Sequence, residues 1–120
     1  MAKVAATARL DRRRESLYSL SPEDAKILPE FLRQERKDFS LELRRALNRL
    51  RLVPIADREV IIAIDSKHWR LARLGRNRGD PVRFIDERVF TDHRRAEWEV
   101  LKMRWQRLTG TPLPNSAEAE

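Results

Sequence analysis

The chain has 120 residues, no cysteine, and 26 Lys and Arg against 19 Asp and Glu, a formal net charge of +7. That is one domain's length, and the missing cysteine excludes disulfide frameworks, thiolate metal sites and thiol catalysis. No apolar run approaches the ~18 residues of a membrane span and Met1–Leu20 lacks the apolar stretch of a secretory signal, so the composition points to a soluble cytoplasmic protein with no membrane partner.

Residues 1–20 form a basic arm carrying Lys3, Arg9, Arg12, Arg13 and Arg14 with no apolar stripe. Leu17, Tyr18 and Leu20 are expected to dock it on the body. Ser21-Pro22-Glu23-Asp24 is a helix start: serine suits the N-cap, proline the first helical position, and two acids the positive end of the dipole. Pro29 predicts a break near Leu28, since it cannot donate to the ladder and disfavours helix before it.

Leu32, Phe39, Leu43, Ala46, Leu50 and Val53 then recur with a period near 3.5, the spacing of a coiled-coil seam. Leu47 widens that stripe, and Arg44, Arg45, Arg49 and Arg51 occupy the opposite face. The pattern predicts one long helix over Pro29–Leu52, although Ser40 could cap a second. Its seam fits packing within the chain or a helix-helix homodimer through Leu32–Val53. Pro54 ends it.

Arg58–Asp65 predicts a strand, short, β-branched and nearly continuously apolar, which implies cover on both faces. Lys67–Leu74 reads equally as strand or as helix. Residues 75–81, with two glycines, an asparagine and a proline, are a loop. Val82–Phe90 predicts a further strand, broken near Asp86-Glu87. The last helix spans Asp92–Leu108, with Thr91 or Asp92 as cap, a stripe of Trp98, Leu101, Trp105 and Leu108, and Gly110 as terminator. Residues 111–120 read as a disordered acidic tail. The whole predicts an α+β domain over 21–110, in which a long central helix and a C-terminal helix pack on a two- or three-stranded antiparallel sheet lying between them.

The chemistry concentrates in residues 66–83, where Lys67, Arg70, Arg73, Arg76, Arg78 and Arg83 face one anion, Asp80. Arginine forks match phosphate oxygens, and Trp69 at the start of the segment could stack on an unpaired base or pack in the core. With Arg12, Arg13 and Arg14 these residues predict a non-catalytic nucleic-acid-binding accessory protein, for DNA or RNA. The other reading is a protein-protein interaction module: an adaptor, an inhibitor, or a small subunit of a larger assembly docking on an acidic partner.

Asp65-Ser66-Lys67 ends a hydrophobic strand and resembles the acid-x-Lys half of the restriction-endonuclease-like nuclease motif. That resemblance implies a metal-binding Asp65 and a water-positioning Lys67. It lacks the upstream aspartate, because Asp57 stands too near to sit on a separate strand. His93 and Glu97 lie four apart and could pair, but His68 and His93 are too widely spaced for a metal motif. Gly-rich phosphate loops, nucleophile elbows and His-Glu-x-x-His are all missing. The sequence thus argues against an enzyme, a metal and a cofactor.

Overall fold

The computed structural model describes residues 18–113. Arg12, Arg13, Arg14 and Leu17 of the basic arm, and residues 114–120 of the expected tail, lie outside the described residues. Among those described, the order is α1 (Pro22–Ile27), α2 (Glu30–Arg33), a 3-10 turn (Arg36–Asp38), α3 (Leu41–Arg51), β1 (Glu59–Asp65), β2 (His68–Arg73), β3 (Arg83–Phe84) and α4 (His93–Thr109). The strands form one antiparallel sheet in the order β1-β2-β3. This is the α+β class expected, with the C-terminal helix packed on the sheet.

The start of α1 follows its sequence signature. Asp24 accepts the Ser21 backbone N–H at 2.9 Å, the reciprocal half of a capping box. The same carboxylate takes the Tyr18 hydroxyl at 2.8 Å, which ties the segment ahead of α1 onto it. Pro29 separates α1 from α2 as expected.

The single helix expected over Pro29–Leu52 is instead α2, the 3-10 turn and α3. Gln34 and Glu35 are extended, and Ser40 begins a new helix. Its hydroxyl accepts the Leu43 N–H at 3.1 Å and donates to Glu30 at 2.7 Å, while Glu30 also accepts the Ser40 N–H at 2.6 Å. The apolar phase survives because Leu32 and Phe39 stand seven apart, a step that specifies nothing between them. Leu43, Ala46, Leu47 and Leu50 are buried against α1 and α4, together with Leu28, Phe31 and Phe39. The seam is therefore consumed inside the chain, which removes the surface that a homodimer through Leu32–Val53 would need.

α4 carries two apolar stripes. Trp98, Leu101 and Trp105 meet the helical layer, where Phe31 stacks on Trp98 at 6.3 Å. Ala96, Val100 and Met103 meet Ile61, Trp69 and Leu71 of the sheet. So α4 is the middle layer, whereas the sequence placed the sheet between the helices. Asp92 caps α4 by accepting the Arg94 N–H at 3.0 Å. Gly110 ends it at φ 83°, a left-handed conformation that glycine adopts without strain. Leu113 returns to the core beyond that turn.

Lys67–Leu74 resolves as strand β2. The strand expected over Val82–Phe90 is reduced to Arg83–Phe84, because Asp86 folds back to accept the Arg88 N–H at 3.0 Å. Phe90 rejoins only through a two-way backbone bridge to Trp69, at 2.9 and 2.7 Å.

Candidate functional site

Four of the expected phosphate-binding arginines, Arg70, Arg73, Arg76 and Arg83, have partners within the chain. Asp57 forms ion pairs with Arg76, at 3.3 Å, and with Arg83. Glu59 pairs with Arg73 at 2.9 Å and Arg107 at 3.1 Å, and Arg104 reaches its carboxylate at 3.7 Å and its backbone carbonyl at 2.7 Å. Arg70 lies over the Phe84 ring at 3.9 Å and donates to the Asp86 carbonyl at 2.8 Å. Of the expected set within the described residues, Lys67 and Arg78 alone are exposed without an ion pair or stacking partner there. Trp69 is half-buried on the α4 side and meets His93 edge-on at 5.3 Å.

Local structure explains this convergence. Antiparallel register sets Glu59 opposite Arg73 on the side facing α4, where Arg104 and Arg107 lie one helical turn apart. Glu59 is only 1% exposed, and a buried carboxylate is tolerable where cations and hydrogen bonds surround it. Asp57 sits at φ 60°, a left-handed position that aspartate tolerates better than most residues. Burial raises the Asp57 pKa, but Arg76 and Arg83 outweigh it and hold the carboxyl below its usual range. Burial lowers the Arg104 pKa, and the nearby Arg58 adds to that, with Glu59 working against it. Sequence reasoning missed Glu59, Arg104 and Arg107. The available signal was an acid inside an apolar strand, which demands a buried cation without naming it.

The strand β1 was expected to be covered on both faces. α4 covers the face of Ile61, Trp69 and Leu71. The opposite face holds Val60, Ala72 and Phe84 in one register row and Ile62 beside Arg70 in the next. Phe84 is 45% exposed, neighbouring Val82 37%, and Ile64 at the β1 bulge 50%. Arg70 covers one side of the Phe84 ring, and all three side chains keep a large part of their surface open. Val82 and Phe84 stand two apart in the chain, and exposed apolar side chains beside arginine suit a protein interface.

The nuclease-like triplet has another use. Asp65 accepts the Lys67 N–H and the His68 Nδ1, both at 2.8 Å, so it closes the β1–β2 turn. The Lys67 backbone bond is the main cause holding its pKa below the usual range, with His68 assisting. His93 and Glu97 pair at 3.0 Å as their spacing allows. Among the described residues, no three His, Asp or Glu side chains stand together as a metal-holding group, and no helix is long and apolar enough to cross a membrane.

A family model described as N,N-dimethylformamidase alpha subunit matches residues 5–113. No curated protein matches the chain, and no solved structure does. The match overturns the expectation of a non-catalytic nucleic-acid-binding protein, because the family is that of an enzyme subunit. It likewise corrects the placement of the chain outside enzyme chemistry. The arginine richness behind those expectations is a property of composition, which does not reveal that Arg73, Arg76 and Arg83 find carboxylates at home.

Proposed function

Because the chain belongs to the N,N-dimethylformamidase alpha-subunit family, we propose that it is the small subunit of an amide-hydrolysing assembly and binds its partner subunit through the outer face of its sheet. The observation that carries this reading is the exposure of Phe84, Val82 and Ile64 on the face that α4 leaves open. Burying such side chains contributes about 25 cal/mol for each Å² removed from water. Arg70, 3.9 Å over the Phe84 ring, gives that face an aromatic–guanidinium pair, residue types that dominate many interfaces. Lys67 and Arg78, with no ion pair among the described residues, supply positive charge toward an acidic rim on the partner.

The test is co-purification of N,N-dimethylformamide-hydrolysing activity with the tagged full chain. The unaltered chain should carry the activity through affinity and sizing steps. Phe84→Asp should lose at least about tenfold of that co-eluting activity, as loss of one buried aromatic anchor implies. Circular dichroism of the variant should stay unchanged, since Phe84 is exposed in the free chain. Undiminished co-elution with Phe84→Asp, or an unaltered chain that carries no activity, would overturn the reading.

A further inference from the structure

A second surface lies apart from the outer sheet face. β1 is an edge strand, and its free edge runs beside α3 with α4 as the floor between them. The resulting cleft encloses about 470 Å³ and opens to solvent, within the usual range for small-ligand pockets. Leu47, Val60, Ile61, Leu74, Val100 and Leu101 form its apolar walls. Arg51, Arg58 and Arg104 contribute its cations, and Glu59, Glu97 and Arg36 complete its charged lining.

The charges of this cleft do not balance. Arg36 is spent on Glu97. The Glu59 carboxylate is held by Arg73 and Arg107, with Arg104 farther off. Arg58 donates to the Arg51 carbonyl at 3.1 Å and Arg51 only grazes Asn48 at 3.5 Å, so neither meets a carboxylate among the described residues. The buried Nε of Arg104 has no hydrogen-bond partner there either. Three guanidinium groups gathered at one apolar cleft, two of them without a counter-ion, lack an anion. Burial depresses the Arg104 pKa most, and Arg58 and Arg51 add the electrostatic cost of that crowding.

The geometry points to a binding site for a small organic monocarboxylate, its apolar body between α3 and β1 and its carboxylate on Arg51 and Arg58. A bare inorganic anion would leave the apolar walls unused, and a neutral molecule would leave the cations unpaired. The site shares Val60 with the outer sheet face but none of Phe84, Val82, Ile64 and Arg70, so its failure would leave the assembly reading untouched.

Calorimetric titration of the full chain with hexanoate, 1-hexanol and acetate tests this directly. Hexanoate should bind at least about tenfold tighter than either of the others, since a hydrogen bond to a charged group contributes about 1.5–3 kcal/mol. Arg51→Gln, at the exposed end of α3 and safe for folding, should weaken hexanoate binding about tenfold and leave hexanol unchanged. Arg78→Gln, outside the cleft, should change neither. Equal binding of hexanoate and hexanol, no detectable hexanoate binding, or equal losses in both variants would overturn the proposal.

Discussion

Tyr18 is the single tyrosine of the chain, and its hydroxyl donates to Asp24. That hydrogen bond, helped by burial and by the Asp24 charge, raises its pKa above the ordinary 10.0. Because the folded pKa lies above the unfolded one, the contact contributes in full below pH 10 and is lost as pH rises through the folded value. Tyrosinate absorbance should therefore titrate above the ordinary phenol range, with no other tyrosine to confuse it. Asp24→Asn should bring the midpoint back toward about 10, and an unchanged midpoint would deny the contact. Of the three residues just ahead of α1 named as its anchors, sequence pattern could mark the type but not the bond. The place of Asp24 in the first turn was legible, as an acid at the positive end of the dipole, because that role is local. Its second partner, six residues away, was not.

Among the elements, α3 separates two readings most sharply. Ser40 is the N-cap of α3 and is itself gripped by Glu30. Ser40→Ala should destabilise the protein by about 1–2 kcal/mol in urea unfolding, the usual loss for a capping serine. A continuous helix over Pro29–Leu52 would give the opposite sign, since alanine is about 0.5 kcal/mol better than serine inside a helix. Helix α4 was legible from Asp92 to Gly110 because caps and terminators act within a turn. Its second stripe, Ala96, Val100 and Met103, went unnoticed because it borders the tryptophan stripe and merges with it. Only the arrival of a sheet on that side gives it meaning. β3 shrank to two residues for a similar reason: Asp86 competes locally with the ladder.

At the scale of the whole molecule, Glu59 joins what the chain separates. Its carboxylate and carbonyl connect β1 to β2 through Arg73 and to α4 through Arg104 and Arg107. Glu59→Gln should cost about 3 kcal/mol in urea unfolding, because it leaves buried cations without their counter-charge. Asp57→Asn, whose ion pairs are more exposed, should cost less, and an equal loss would show that Glu59 is not the keystone. The sequence by itself determined what is short-range: the class of the fold, the helix starts, the Pro29 break, the β1 strand and the end of α4. These follow from caps, proline geometry and apolar period, each acting within a few residues. Tertiary structure alone decided that α4 lies between sheet and helices, that Arg73, Arg76 and Arg83 face Asp57 and Glu59, and that one sheet face stays open. Ion pairs form across 14 to 48 residues here, as Glu59 with Arg73 and with Arg107 show. Charge acts through space, and a list of residues carries no distances, so a neutralised cluster and a phosphate clamp are written in the same letters.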